Sequence, residues 1–552
     1  MKRPLILLLV LAAPVLMNGV VGISLASPIS LKIARDANKV TVEWTGDGIL
    51  ESAPRVSGPW HDVLRATSPY IITNTETLFL RVRIVEGRLD LGAGRVDPKR
   101  VEGGGYPPFA PSTNRLNVAR VPFIVPTGPE RGDLRPANNQ YDARLLDPSD
   151  PQGSGDPQAP LFFRDYNELT NATASAHTLN PEPSVAENGT TVMTTGNFWM
   201  SLSEDGGASF TTVNPTTIFP QDYGGFCCDQ VLTYVPHFDL FVWLLQYQSS
   251  GGRNAIRIAV QNTQGVRNSD GTAWTYWDFT NDTFAPSGAL DYNDMSFGDT
   301  FLYWTSSVGG GANRYVIRVP LQELSALGTV NFQFTGSTAA YWSHVTQNGR
   351  NGVYWAGHVN SSNLRVYSMM DADGFYSWRE IAINSWPNST ITSIAANGTD
   401  WLQDASWKTY VRAAAVQGET AYFAWNASAG GGFPEPHVQI ARINTRSWTL
   451  QSQMQIWNPD FAFAYPYFET NAEGQLGMIV AFGGGTFNAS SGVGVWGDFV
   501  IYYPRLSNVS QNNYGHYHTA RRSGSDRMQW VGAGYTHQAD GTVLPYYVRF
   551  SR

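Results

Sequence analysis

Ser203-Glu204-Asp205-Gly206-Gly207-Ala208-Ser209-Phe210 is the stretch of sequence with the strongest structural signature in this chain. The Asp205 side chain can accept hydrogen bonds from the amides of a turn, and the glycines allow positive φ angles. The closing aromatic residue can then pack onto the sheet beside the turn. The stretch therefore predicts a tight hairpin turn between two β-strands.

A loose repeat extends from this turn across the rest of the chain. Strand-like runs begin at polar residues 47 to 68 positions apart, namely at Glu182, Asp229, Asp294, His344, Arg412, Tyr467 and Tyr517. Many are followed by a turn and an aromatic strand such as Phe301-Leu-Tyr-Trp304. Seven units of ~50 residues with about four strands each are typical of propeller blades.

The composition agrees with an all-β fold and excludes several classes of protein. Of 552 residues, 15% are charged and 13% aromatic, with 54 Gly and 32 Pro. Disordered chains have few aromatics and high charge, whereas coiled coils are rich in Ala, Glu, Lys and Leu. The net charge is −8 and no basic run reaches five residues, so we exclude nucleic acid as a partner.

The Ser203–Phe210 stretch matches the Asp-box motif, and Asp371–Trp378 looks like a partial second copy. On these residues the region 161–552 resembles the sialidase-like propeller superfamily. The resemblance implies a seven-bladed β-propeller, with six blades possible. It also implies that Ser203, Asp205, Gly207 and Phe210 are structural, because Asp-boxes lie on the rim away from the central funnel.

The N-terminal part of the chain divides into three predicted segments. Residues 1–26 have a basic start, an apolar stretch and the small residues Ser24 and Ala26 before a cleavage site, as in a secretory leader. Residues 27–86 contain short alternating runs and resemble small β-sandwich modules of secreted bacterial proteins. Residues 87–160 are rich in Gly, Pro and Asp, which predicts a linker.

These segments predict where the protein acts. We expect a secreted monomer that is extracellular, periplasmic or at the cell surface. No run of 18 apolar residues follows the leader, so no membrane span is expected after cleavage.

The cysteines are two adjacent residues, Cys227 and Cys228. An oxidising compartment favours a disulfide. A bridge between the two neighbours, two free thiols and an intermolecular bridge all remain open at this stage. No Cys/His metal spacing is present, and we predict neither a metal nor a cofactor.

Residues at the starts of the innermost strands of a propeller converge at one mouth of its central channel. We therefore predict a polar site there. The candidate catalytic residues are His344, Arg412, Tyr467, Glu469, Asp229, Asp294 and His516. The candidate substrate-binding residues are Glu182, His518 and Arg521.

Three chemistries fit such a ring. The sialidase-like resemblance implies a Tyr–Glu nucleophile, for which Tyr467 and Glu469 are available, but the usual N-terminal arginine motif is missing. Propeller polysaccharide lyases use a His or Tyr base, here His344 or Tyr467, while an arginine neutralises a uronate. Hydrolysis by paired carboxylates such as Asp229 and Asp294 is the third.

These chemistries predict an enzyme that cleaves an acidic extracellular polysaccharide or glycan. A non-catalytic glycan- or protein-binding propeller is the alternative, with sugars stacked on tryptophans in loop-like contexts, namely Trp386, Trp401, Trp407 and Trp457. A quinoprotein dehydrogenase is disfavoured, because the eight Trp-docking repeats of that family are not visible.

Overall fold

The computed structural model describes residues 31–36, 39–44, 48–55, 61–63, 66–72, 79–84, 86–101, 140–145, 162–169, 181–284, 288–308, 313–403, 410–512, 514–515 and 518–552. The chain forms two compact units. The first comprises residues up to Asp90 together with Asp373–Glu380, and the second comprises Leu91–Ala372 and Ile381–Arg552. The predicted leader, residues 1–26, lies outside the described residues.

Two small sheets, with strand orders β1-β2-β5 and β4-β3-β6, make up most of the first unit. Their strands are β1 (Leu31–Asp36), β2 (Lys39–Trp44), β3 (Gly48–Ala53), β4 (His61–Asp62), β5 (Tyr70–Ile72) and β6 (Phe79–Ile84). Buried Val42, Trp44, Leu50 and Leu80 form their shared core. In the same unit, β7 (Glu86–Asp90) pairs antiparallel with residues 375–379 of β26 (Phe375–Ala382).

The second unit begins with four strands that precede the blades. These are β8 (Gly92–Val96), β9 (Lys99–Val101), β10 (Asp142–Leu145) and β11 (Phe162–Glu168).

Blades 1 to 3 have four consecutive strands each. Blade 1 contains β12 (Ser184–Asn188), β13 (Thr191–Gly196), β14 (Trp199–Ser203) and β15 (Thr211–Val213); blade 2 contains β16 (Phe226–Val235), β17 (Leu240–Tyr247), β18 (Ala255–Gln261) and β19 (Trp274–Thr280); blade 3 contains β20 (Leu290–Phe297), β21 (Phe301–Val308), β22 (Asn313–Pro320) and β23 (Val330–Phe334).

The remaining blades complete the ring. Blade 4 contains β24 (Gly352–Asn360) and β25 (Asn363–Met370); blade 5 contains β27 (Ala413–Gln417), β28 (Thr420–Ala427), β29 (His437–Asn444) and β30 (Thr449–Ile456); blade 6 contains β31 (Ala462–Thr470), β32 (Leu476–Gly484), β33 (Phe487–Val495) and β34 (Val500–Tyr503); blade 7 contains β35 (Thr519–Arg522), β36 (Trp530–His537) and β37 (Val543–Ser551). The all-β, seven-bladed propeller predicted from the repeat is confirmed, with seven blades rather than six.

Short helices lie in the connections. In the described residues they are α1 (Thr263–Asn268), α2 (Asn281–Phe284) and α3 (Leu321–Ser325), with 3₁₀ turns at Pro215–Thr217 and Pro236–Phe238. Within the described part of the chain, no helix is long and apolar enough to cross a membrane.

The region predicted to be a linker, residues 87–160, contributes strands to the blades. β8 adds to the outer edge of blade 3, β9 to that of blade 2 and β10 to that of blade 6. The linker prediction is therefore wrong for these residues, whereas 102–139 and 146–160 lie outside the described part of the chain. We call β8, β9 and β10 the rim strands.

Glycine in β8 serves packing rather than flexibility. A Cβ atom on Gly94 would lie 2.2 Å from the Phe332 ring, and one on Gly92 would lie 2.4 Å from the Phe334 ring. Both rings belong to β23, the strand with which β8 pairs. Aromatic residues that cover cross-strand glycines are a known way to fix an edge pairing.

Blade 7 joins the two ends of the second unit. β11 pairs antiparallel with β37, and the sheet has the order β11-β37-β36-β35. A strand from before blade 1 thus forms the outer edge of the last blade, which closes the ring.

The Ser203–Phe210 turn connects β14 to β15 as the motif predicts. The Ser209 amide donates to Asp205 Oδ1 at 2.9 Å, and Ser203 Oγ donates to the same oxygen at 2.7 Å. The Ser209 hydroxyl donates to Asp205 Oδ2 at 2.5 Å, and this bond, together with the other two, lowers the pKa of Asp205 to about 2. Phe210 packs against the Tyr547 ring of β37 at 5.8 Å between centroids, so the turn also braces the closing blade.

Most of the aromatic excess fills the space within and between blades. Trp243, for example, meets Trp274 and Phe219 at 5.3 Å between ring centroids. The tryptophans expected in exposed loops are buried as well, with Trp386 at 4%, Trp401 at 0% and Trp457 at 8% exposure. That part of the prediction is wrong, and Trp407 lies outside the described residues.

Candidate active site

Four segments that lie in or before the innermost strands of blades 1, 3, 4 and 6 share an unusual backbone conformation. A residue with positive φ precedes a polar residue by two positions, in the pairs Glu182 (φ 52°) and Ser184, Tyr292 (φ 52°) and Asp294, Trp342 (φ 50°) and His344, and Tyr465 (φ 53°) and Tyr467. Positive φ in a residue other than glycine is uncommon and concentrates at functional sites. The repeated kink brings side chains from several blades to one mouth of the channel.

The outermost of these side chains form a carboxyl pair. Glu182 hydrogen-bonds to Asp229 of the neighbouring blade and to Asn197. Glu182 is 9% exposed and Asp229 is 8% exposed, which makes them the two most accessible of the described acids in the predicted ring. Burial raises the pKa of Glu182 to about 7, and the nearby charge of Asp291 acts in the same direction. One proton is therefore held at this pair near neutral pH.

Arg412 provides the positive charge at the same mouth. Its guanidinium carbon lies 5.1 Å from the centroid of the Tyr292 ring and 5.2 Å from that of Tyr465. Its charge opposes the rise in the pKa of Glu182. An arginine held between two aromatic rings is fixed in place and can bind a carboxylate.

Asp291 is the third acid of the mouth and is half-buried. Its Oδ1 accepts hydrogen bonds from Gln246 Nε2 at 2.9 Å and from the Tyr292 amide at 2.9 Å. These two donors hold the Asp291 carboxyl group in a fixed position. We call Glu182, Asp229, Asp291, Tyr292, Arg412 and Tyr465 the mouth cluster.

A second polar group lies deeper in the channel. The hydroxyl of Tyr467 donates to Asp294 Oδ1 at 3.0 Å and accepts from Arg521 Nη1 at 2.5 Å. Gln347 Nε2 also donates to that hydroxyl at 3.0 Å, and Gln347 Oε1 accepts from Arg521 at 3.0 Å. We call Asp294, His344, Gln347, Tyr467 and Arg521 the channel cluster.

The channel cluster is almost completely buried, with every member at 4% exposure or less. Burial raises the pKa of Asp294 and of Tyr467. Arg521, whose Nη2 lies 4.0 Å from Asp294 Oδ1, partly offsets the rise for that acid. This closed network ties together blades 3, 4, 6 and 7.

His344 connects the two clusters. Its Nε2 is 3.3 Å from the hydroxyl of Tyr292, and its Nδ1 is 3.8 Å from Asp294 Oδ2. Burial, together with the charges of Arg412, Arg314 and Arg521, lowers its pKa well below the usual value. The imidazole is therefore neutral at physiological pH.

Of the other predicted site residues, Glu469 lies apart from the mouth, His518 lies beside Tyr535 at the edge of the mouth cluster, and His516 cannot be placed. Glu469 is deeper and pairs with Arg522 at 3.4 Å. His518 stacks on Tyr535 at 5.1 Å between ring centroids. His516 lies outside the described residues.

Cys227 and Cys228 are joined to each other by a disulfide. They lie in a bulge of β16 between Phe226 and Gln230, directly before Asp229. Both are half-buried, and Cys228 Sγ is 4.0 Å from Gln246 Nε2, the group that also binds Asp291. The bridge thus adjoins the mouth cluster.

The structure brings together most of the predicted ring and adds residues that the sequence did not single out. The additions include Asp291, Tyr292, Gln347, Tyr465 and Asn197. Within the described ranges, no three His, Cys, Asp or Glu side chains are grouped in a way that could hold a metal ion.

No protein-family model and no curated protein matches this chain. Solved structures that it resembles include a mutant of AofleA from Arthrobotrys oligospora, at 11% identity and a TM-score of 0.33, over 68% of this chain and 99% of the other. An alpha-L-arabinofuranosidase from Lactobacillus brevis shows 13% identity and a TM-score of 0.29, over 56% and 92%. A neuraminidase-like protein of the isolate A/flat-faced bat/Peru shows 7% and 0.32, over 70% and 93%.

The likeness is one of fold alone. At such identities and TM-scores it says nothing about reaction or substrate. Function must be argued from the mouth cluster itself, which combines an acid of raised pKa, two further carboxyl groups and a guanidinium held against two aromatic rings.

Proposed function

We propose that this chain is a secreted carbohydrate-active enzyme that hydrolyses glycosidic bonds in an acidic extracellular polysaccharide. The observation that carries the proposal is the Glu182–Asp229 carboxyl pair at the mouth of the channel, with the pKa of Glu182 raised to about 7. A carboxyl group that keeps its proton near neutral pH, with other carboxyl groups close to it, is what an enzyme needs to hydrolyse a glycosidic bond.

In this mechanism Glu182 is the general acid. It donates its proton to the glycosidic oxygen as the bond to the anomeric carbon breaks, and the departing sugar leaves as an alcohol. Asp229 holds the acid in place before the substrate enters. Asp291 acts as the general base and takes the proton of the water that attacks the anomeric carbon.

Arg412 supports the choice of an acidic substrate. Its guanidinium is fixed between the Tyr292 and Tyr465 rings and close to Glu182. A uronate carboxylate bound to Arg412 would place its sugar ring within reach of the mouth acids.

The test uses Glu182→Gln, which keeps the size of the side chain and removes its proton. Reducing ends released from polygalacturonate, alginate and chondroitin sulfate are measured. We expect turnover of the accepted substrate to fall by about 100-fold or more. Glu204→Gln, an exposed acid in the Ser203–Phe210 turn, is the matched control and should keep parental turnover.

Two other outcomes would replace the proposal. Ultraviolet absorbance from an unsaturated uronate would show β-elimination instead, with neutral His344 and its partner Tyr292 as the groups to examine. Glycan binding without any product would favour the non-catalytic propeller. Parental turnover in Glu182→Gln would remove Glu182 from the mechanism.

A further inference from the structure

A pocket of about 260 Å³ opens between blades 4 and 5, and the mechanism above does not use it. Its walls include Tyr341, His358, Asn360, Trp386, Asn388 and Tyr410. The volume is just below the ~300–1,000 Å³ typical of sites for drug-sized ligands, so it suits one small ring.

The pocket lies on the same side of the propeller as the mouth cluster. Tyr341 precedes His344 by three residues, and Tyr410 precedes Arg412 by two. β24 runs antiparallel to the stretch that follows His344, with Thr346 N bonded to Tyr354 O, so its last residues return to the mouth side. His358 and Asn360 are therefore at that side.

Aromatic rings dominate the walls. Tyr341 is 37% exposed, and its ring lies 5.8 Å from that of Tyr410 with 31° between the planes. Deeper in, His358 lies 4.9 Å from Trp386 and 4.7 Å from Trp425. The floor is thus rigid, while a large tyrosine face is open to a ligand.

Apart from His358, the polar side chains among the described residues of the pocket are amides and phenols. Asn360 and Asn388 are exposed, and Asn360 Oδ1 accepts from Ser362 N at 2.8 Å, which fixes the side chain with its NH₂ group as the donor. No Lys, Arg, Asp or Glu is among the described residues that line it. The described walls thus offer a charged ligand no Lys, Arg, Asp or Glu counter-ion, whereas the mouth cluster offers Arg412.

We propose that this pocket is an accessory subsite for one neutral sugar ring of the polysaccharide that reaches the mouth cluster. Tyr341 stacks against the apolar face of the ring, Tyr410 borders it, and Asn360 binds a hydroxyl group. The inference deepens the proposed function and rests on it for the class of substrate.

The experiment measures binding of cellohexaose, mannohexaose and xylohexaose by calorimetry, with the full chain carrying Glu182→Gln so that no probe is cleaved. We expect at least one neutral hexasaccharide to bind, and Tyr341→Ala and Tyr410→Ala each to weaken it by about tenfold. Tyr341→Phe keeps the ring and should bind within about twofold of its parent. Ile394→Ala, at another exposed apolar residue, should bind as the parent does.

The subsite is overturned if no neutral hexasaccharide binds, or if both alanine variants bind as tightly as the parent. Its failure is distinguishable from failure of the proposed function. If polysaccharide cleavage depends on Glu182 but is unchanged when Tyr341 is replaced, the proposed function stands and the subsite does not. If sugar binding depends on Tyr341 but the unmodified protein cleaves nothing, the subsite stands and the proposed function does not.

Discussion

At the scale of single residues, Glu182 stands out because its position combines three conditions. It has positive φ, it shares a hydrogen bond with a second carboxyl group, and it lies at the open end of the channel. Glu469 is also a buried acid with a raised pKa, but Arg522 pairs with it deep in the channel. Accessibility, rather than the pKa alone, separates the candidate acid from a structural one.

The raised pKa of Glu182 has consequences for stability. Burial lifts it from 4.5 to about 7, so the folded protein keeps a proton that the unfolded chain releases as pH rises through that window. The unfolded state then binds fewer protons, and the free energy of unfolding falls with rising pH. At about pH 8 the free energy of unfolding is lower for this reason by on the order of 1–3 kcal/mol than at acidic pH.

We therefore expect Glu182→Gln to flatten the dependence of stability on pH. Urea unfolding at about pH 5 and about pH 8 should show a smaller decrease for the variant than for the parent. Glu204→Gln should follow the parent. Parallel curves for parent and Glu182→Gln would mean that the glutamate is ionised in the folded protein at both pH values.

The polar ring could be anticipated from the sequence because it follows from periodicity. Asp229, Asp294, His344, Arg412 and Tyr467 recur at the starts of strand-like runs, and the propeller geometry brings these starts together. Which of them is reachable could not be anticipated. The positive φ angles at Tyr292 and Tyr465 could not be anticipated either, because an aromatic residue with positive φ has no signature in sequence.

At the scale of elements, β8 shows why the composition led to the wrong prediction of a linker. Its sequence, Gly-Ala-Gly-Arg-Val, has the glycine content of a flexible connection. The rings that require those glycines, Phe332 and Phe334, are about 240 residues away in sequence, so no local pattern could reveal the pairing. Repeats, by contrast, are local and regular, which is why the blades were predictable.

Gly94→Ala should destabilise the propeller by about 1–3 kcal/mol, because the new methyl group would clash with the Phe332 ring. Gly328→Ala, just before β23, adds the same methyl group where no atom lies within 4 Å and should change stability little. Thermal unfolding of the two variants compares them directly. Equal stability would show that β8 does not hold the edge of blade 3.

At the scale of the whole molecule, the closing strand is the feature that makes seven sheets one unit. β11 forms the outer edge of blade 7 by pairing with β37 from Phe162 to Glu168. Blade 7 also contributes Arg521 to the channel cluster, where it meets Tyr467 of blade 6. Opening the ring at this point would therefore loosen both the rim and the channel.

Replacing residues 162–169 by a Gly-Ser segment of equal length should lower the unfolding midpoint by at least about 5 °C. Deleting residues 31–84, which hold β1 to β6 of the first unit, should leave the main transition of the propeller in place. Calorimetry of both variants separates the two effects. An unchanged midpoint in the first variant would show that the blades hold together without β11.

The rim strands also bear on how the protein is made. During synthesis β8 and β9 leave the ribosome well before their partners β23 and β19, and β10 precedes β34 by more than 350 residues. Until then the backbone N–H and C=O groups of the rim strands have no partner strand to bond. Such long-range pairing is slow, and it leaves the chain prone to aggregation in the meantime. Because the chain is synthesised from its N-terminus, the rim strands stay unpaired until their partner strands have been made. The yield of folded protein should therefore depend on how long a chaperone shields the rim strands.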